Sequence, residues 1–114
     1  MDRTIFQSQR EWIRAELARC TDFWVKNGWD HEHGGVYTCL DRKGKVYSTD
    51  KSVWMQGRCA WTFSYLCGVY GVRQEWLELA QSCLAFMEAH CINRDKGNRM
   101  YFTCLLYTSD AADE

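Results

Sequence analysis

Arg58 stands out because its guanidinium sits in a stretch, Val53 to Leu66, that is otherwise almost wholly apolar. A cation that stays charged at any physiological pH has to find acceptors, so Arg58 is either paired with a buried carboxylate or aimed into a polar cavity. Trp54 lies four residues earlier, one turn away on the same helix face, where its indole offers an aromatic wall; ordinary core packing is the alternative. Gln56 and Tyr101 carry hydrogen-bonding groups that serve either a site or the fold. His31-Glu32-His33 has the residue types of a metal or acid–base centre. Yet alternate residues in a polar loop ahead of Gly34-Gly35 do not fix ligand geometry, and a solvated turn is expected there. His90 falls in the last turn of a helix, where a cation complements the dipole. The cysteines number seven, an odd count, and Cys20, Cys59, Cys67 and Cys83 occupy positions where a small apolar residue would sit on a helix. No Cys-x-x-Cys or Cys/His cluster has ligand spacing, so reduced core thiols are expected, with neither structural disulfides nor zinc.

These residues need elements to position them. From about Thr4 to Lys26, Ile13, Leu17, Cys20 and Trp24 recur at helical spacing, widened by Trp12 and Phe23, and Asn27-Gly28 supplies a left-handed stop. Val36 to Leu40 has β character, Asp41-Arg42-Lys43-Gly44 makes a turn, and Lys45 to Ser48 is the return strand of a hairpin. A second helix opens at Thr49 or Asp50 and runs to Tyr70, with Gly71 ending it. It is apolar nearly all round, as in helices buried on several sides, and Gly57, Ala60 and Ser64 allow close neighbours. A third, from about Gln74 to His90, sets Trp76, Leu79, Ala80, Cys83 and Met87 along one side. A loop over 93–98 leads to a short β-like segment, Met100 to Phe102.

Composition narrows the function class. A hydrophobic content of 46% with six Trp and six Tyr builds a real core, so the chain is not a disordered tail. Fourteen basic residues against fifteen acidic ones leave no net field and no basic cluster for nucleic acid or an anionic membrane. Met1-Asp2-Arg3-Thr4 lacks the cationic start of a signal peptide, and no apolar run approaches the ~20 residues that cross a bilayer. A soluble, cytoplasmic protein is expected. There is no proline and no low-complexity linker, which argues for one domain.

Three segments in register carry a resemblance: Gly28-Trp29-Asp30-His31-Glu32-His33-Gly34-Gly35-Val36-Tyr37, Leu40-Asp41-Arg42-Lys43-Gly44-Lys45-Val46, and Asp50-Lys51-Ser52-Val53-Trp54-Met55-Gln56-Gly57-Arg58. Their order and spacing resemble the N-terminal part of the N-acylglucosamine 2-epimerase family, which includes cellobiose 2-epimerases and aldose–ketose isomerases. The resemblance implies a mainly all-α fold, part of an (α/α)6 barrel with short β-hairpins between helices, over residues 1–103. It implies a sugar substrate whose proton is removed from the carbon next to the open-chain carbonyl and returned on the other face through an enediolate. That chemistry needs proton carriers with pKa near neutrality and a cation for the oxyanion. In the family the Arg of Trp-x-x-Gly-Arg is a pocket residue on the carbonyl side, which assigns Arg58 a catalytic role and Trp54, Arg58 and Tyr101 to substrate binding. The family's two catalytic histidines match nothing here and belong to later helices, so the chain is expected to be inactive alone. No redox cofactor or metal is implied, no Gly-rich phosphate loop supports nucleotide contact, and a homodimer is compatible with the full-length protein. The competing readings are a carbohydrate-binding toroid without catalysis and an interaction protein. The last residues, Cys104 to Glu114 (CLLYTSDAADE), resemble an in-frame translation of a sequencing-library adapter, and a non-native tail is expected over 104–114.

Overall fold

Two helix starts in this chain are set by short polar side chains. In the computed structural model, which describes residues 2–104, the Asp2 carboxylate accepts the Thr4 N–H at 2.9 Å and opens α1, Arg3–Phe23. The helix passes into a π-helical turn, Trp24–Gly28. The left-handed stop expected at Gly28 is absent. Gly28 is needed for space instead, because a Cβ there would lie 2.5 Å from the Trp24 ring, and the chain turns extended at Trp29. Of the expected apolar stripe, Leu17 and Trp24 pack against the core, whereas Ile13 and Cys20 are exposed.

The hairpin is shorter than its residue types suggest. Strands β1, Cys39–Leu40, and β2, Val46–Ser48, pair antiparallel with an irregularity between Cys39 and Leu40. Val36 and Thr38 are diverted to other partners, Val36 to Trp29 and Gln56, Thr38 to Asp50 and Ser52. Next come β3, Lys51–Ser52, and α2, Val53–Tyr70. The expected cap at Thr49 or Asp50 is replaced by Ser52, whose hydroxyl accepts the Met55 N–H at 3.4 Å. Lys51 and Ser52 are held extended by pairing with a distant strand, which delays the helix. Within α2 the run is continuous, and Gly71 ends it at φ 93°, a conformation that favours glycine. Then follow α3, Gln74–His90, β4, Ile92–Asn93, a 3-10 turn, Arg94–Lys96, β5, Arg99–Met100, and β6, Thr103–Cys104. Strand β4 pairs with β5 and β3 with β6, both antiparallel. Cys104, the first residue of the expected tail, is buried and pairs with Lys51; residues 105–114 lie outside those described.

The core lies between α2 and α3. Ala60, Phe63, Leu66 and Cys67 meet Trp76, Leu79, Ala80 and Cys83, with Val36 closing one end. On α3, Phe86 takes the buried position and Met87 only flanks it; Phe86 joins Val53, Cys91 and Cys104 in a second cluster. No helix among the described residues is long and apolar enough to cross a membrane.

One charged pair is sealed inside. Lys51, 0% exposed, sets its Nζ 2.7 Å from Oδ2 of Asp30, 1% exposed, and donates to the Gly34 carbonyl at 2.6 Å. Asp30 Oδ1 accepts the N–H groups of Glu32 and His33 at 3.0 and 2.9 Å, which curls the loop 30–35 around the carboxylate. The ammonium also faces the rings of Phe86, 4.5 Å away, and Tyr37, 5.0 Å away. Burial pushes the Asp30 pKa up, but the Lys51 hydrogen bond, the His33 N–H and the Lys51 charge outweigh it and hold the carboxyl below its ordinary value.

Removing one partner of such a pair strands the other in the interior. Lys51→Met and Asp30→Ala are each expected to lower the unfolding free energy by ~3–5 kcal/mol in urea titrations. Asp30→Ala should be the worse of the two, since it also strands two N–H groups. Because the folded pKa of Asp30 is depressed, its contribution is fully present above the unfolded value near 3.8 and disappears as pH falls through the lower folded value. The stability lost on acidification should therefore be smaller in Asp30→Ala than in the parent.

Candidate functional site

Residues two apart on a helix point to opposite sides, and α2 uses this to separate structure from site. Gln56, 0% exposed, faces inward: its Oε1 accepts the Val36 N–H at 2.9 Å and its Nε2 donates to the Val36 carbonyl at 2.7 Å. The side-chain amide thus stands in for a neighbouring strand. Gly35, at φ 74°, is required beside it, because a Cβ would lie 2.6 Å from Gln56 Oε1.

The opposite side of α2 carries Trp54, Arg58, Trp61 and Tyr65, spaced four, three and four residues apart and all exposed. The Arg58 guanidinium lies over the Trp54 ring with Cζ 4.0 Å from its centroid. Trp61 and Tyr65 stack at 5.0 Å with an interplanar angle of 11°. Among the described residues no carboxylate pairs with Arg58, and it lines an open, mostly apolar cleft of about 460 Å³ with Trp54, Gly57, Trp61 and Thr62. A second cleft, about 540 Å³, runs along the other flank of Trp54 and is lined by Tyr101, Met100, Phe102 and Met87. Trp54 and Gly57 line both. Arg58 and Tyr101 therefore face different clefts, Tyr101 half-buried with its N–H donated to the Cys91 carbonyl at 2.9 Å.

The histidines stand apart from both clefts. His31 stacks on Trp29 at 4.5 Å, His33 Nδ1 lies 3.4 Å from Asp30 Oδ2, and His90 packs on Phe86 at 5.0 Å. Residues 31–33 form the expected turn, and no three His, Cys, Asp or Glu side chains among the described residues converge as a metal site would require. Trp61 and Thr62 are the lining residues that sequence reasoning missed. Trp61 sits seven residues after Trp54, two helical turns on, so the signal was the same periodicity that paired Trp54 with Arg58.

What the cleft offers is a fixed cation on an aromatic face, suited to a polyol whose C–H face stacks while its oxygens take guanidinium hydrogen bonds. The profile of the N-acylglucosamine 2-epimerase (GlcNAc 2-epimerase) family matches residues 35–114, which contain the whole stripe. The chain belongs to that family. The N-acylglucosamine 2-epimerase of Rattus norvegicus is 32% identical over 106 residues, 89% of this chain and 25% of the relative. That of Homo sapiens is 43% identical over 65 residues, 57% of this chain and 15% of the relative. A sugar epimerase from a ruminal bacterium superposes with a TM-score of 0.64 at 28% identity, over 74% of this chain and 21% of that one. The chain thus spans a quarter or less of the length of these members, and its helices form a segment of the mainly α, (α/α)6 toroid of the N-acylglucosamine 2-epimerase family.

Gln56→Leu keeps the side-chain volume roughly constant but leaves the buried Val36 N–H and carbonyl without partners. With ~1–3 kcal/mol for each of the two stranded groups, a loss of about 2–6 kcal/mol in unfolding free energy is expected. The exposed Trp54→Ala, measured by the same urea titration, should stay within about 1 kcal/mol of the parent.

Proposed function

We propose that this chain is part of an enzyme that interconverts N-acylglucosamine and N-acylmannosamine, or a closely related aldose pair, at C2. The observation that carries the reading is Arg58 itself: exposed, without an acidic partner among the described residues, and laid on Trp54 at the mouth of a cleft. In the proposed reaction a base removes the proton from the carbon next to the open-chain carbonyl, and an acid returns one on the opposite face. Between the two steps the carbonyl oxygen carries negative charge as an enediolate. Arg58 stabilises that oxygen, Trp54 stacks on the sugar's apolar face, and Tyr101, across the indole, contacts the part of the sugar remote from the reacting carbon. Its proton carriers lie outside residues 2–104, since none of the three histidines lines either cleft. On the same reading the protein works in the cytoplasm, where its seven free thiols stay reduced.

The test places Arg58→Ala in a version of the enzyme with the relatives' full length. A donor aimed at a developing oxyanion is worth ~2.7–4 kcal/mol, so kcat should fall about 10²–10³-fold. Because Arg58 is exposed, the unfolding free energy should stay within about 0.5 kcal/mol. An Arg58→Ala protein that is unstable yet turns over normally would assign the residue to the fold. No turnover in the full-length parent, together with sugar retention that weakens in Arg58→Ala, would favour a binding toroid.

A further inference from the structure

Two more guanidiniums share a cleft at the other end of α2. Arg14 on α1 and Arg73, where the turn 71–73 enters α3, line a space of about 480 Å³ with Leu17, Tyr70, Val72 and Trp76. Its walls come from α1, the last residue of α2, that turn and the first turn of α3, all within the described residues. Tyr70 lies twelve residues beyond Arg58 along α2, about 18 Å at 1.5 Å per residue, so this cleft is separate from the two flanking Trp54.

The charge around it is of one sign. No Asp or Glu lines the cleft, and among the described residues no carboxylate pairs with either guanidinium. Two cations on one cleft repel each other, and an anion seated with them removes that cost. Arg73 also occupies the N-cap of α3 without a capping hydrogen bond from its side chain, which leaves the positive end of the helix dipole facing the same region. Beside the cations the walls are apolar: Leu17, Val72 and the ring of Trp76, over which the Arg73 Cζ lies 4.9 Å from the centroid. Trp76 is 6% exposed, and its indole N–H has no acceptor among the described residues. A bare oxyanion would answer the cations but leave those walls unfilled, whereas a carboxylate on an apolar body matches both.

We propose that this cleft binds a small organic carboxylate with an apolar body, the carboxylate held by Arg14 and Arg73 and the body packed on Leu17, Val72 and Trp76. Each guanidinium presents a planar fork of donors that fits carboxylate oxygens, and the ligand charge replaces the acid that neither arginine has. Such a ligand ties α1, on which Thr21 alone is buried, to the corner where α2 meets α3. Binding to the folded chain therefore stabilises it as ligand concentration rises. The inference stands on this cleft and is independent of what the Arg58 cleft binds.

The probe is phenylacetate, an aromatic ring bearing a carboxylate, radiolabelled and dialysed to equilibrium against the 114-residue chain. Saturable binding is expected, weakening as salt rises. Arg14→Gln and Arg73→Gln should each weaken it roughly tenfold, the scale of one charge-assisted contact, while Arg58→Ala leaves it unchanged. Unlabelled phenylacetamide, which keeps the ring without the charge, should compete roughly tenfold less well than unlabelled phenylacetate, and inorganic phosphate should also compete less well. Phenylacetate should raise the thermal midpoint of the parent but not that of the double variant. Both arginines are exposed, so the variants should keep the parent's helical circular dichroism. Absence of saturable binding would overturn the proposal. Equal competition by phenylacetamide would reduce the cleft to an apolar groove, and equal competition by phosphate would reduce it to an unselective basic patch; either result overturns it. So would binding lost in Arg58→Ala and retained in Arg14→Gln and Arg73→Gln, which would place the probe in the other cleft.

Discussion

The rest of this fold depends on the ion pair between Lys51 and Asp30. A lysine with no exposed surface is costly, since a charge taken out of water recovers its hydration only through close partners of good geometry. Lys51 has a carboxylate at 2.7 Å, a carbonyl at 2.6 Å and two aromatic faces. The carboxylate in turn is saturated by two loop N–H groups, so both charges are matched and few alternative arrangements would satisfy them. The pair joins residues twenty-one positions apart and sets where the loop ending α1 meets the start of α2.

With Lys51 fixed, the orientation of α2 follows. Ser52 caps the helix, Val53 enters the second cluster, and Gln56 arrives one turn later on the side facing the loop, where it clasps both backbone groups of Val36. These anchors all fall on one side of α2, and Ala60, Phe63 and Cys67 continue that side into the core. The opposite stripe of Trp54, Arg58, Trp61 and Tyr65 is turned outward as a consequence. Rotating α2 to bury Arg58 would unclasp Val36 and pull Lys51 from Asp30.

The three helices were legible because their evidence is local. Apolar spacing marked α3 to its residue bounds, and Gly71 marked the end of α2. The start of α2 was misplaced because Thr49, Asp50 and Ser52 are all competent caps, and pairing of Lys51 with Cys104, a contact across the chain, chooses among them. The shortened hairpin has the same origin, since Val36 is claimed by Gln56. Helical spacing put Trp54 and Arg58 on one face, but whether that face was core or cleft could not be read from spacing: a stripe of aromatics looks alike in both. Trp61 escapes a sequence reading for this reason, and Cys20, expected in the core, is exposed. Asp30 and Lys51 lie within the segments that carry the family resemblance, yet nothing in their types announced a mutual contact, because a buried lysine is rare enough that sequence reasoning does not expect one.

The outward stripe also constrains how Arg58 can act under the proposed chemistry. Two unit charges 4 Å apart attract by ~1 kcal/mol in water and by ~4 kcal/mol at an effective dielectric of 20. The ~2.7–4 kcal/mol expected of an oxyanion donor therefore lies beyond what a guanidinium on an open, wetted face can supply. The aromatic residues around Arg58 are suited to remedy this. Trp54 already covers one side of the guanidinium and Trp61 lines the same cleft, so a sugar seated there would displace water from the other side of the charge. Catalysis by Arg58 thus requires the stripe to be enclosed when substrate is bound, and the aromatic walls, which look like misplaced core on an exposed helix, are what would let one cation act at the strength the reaction needs.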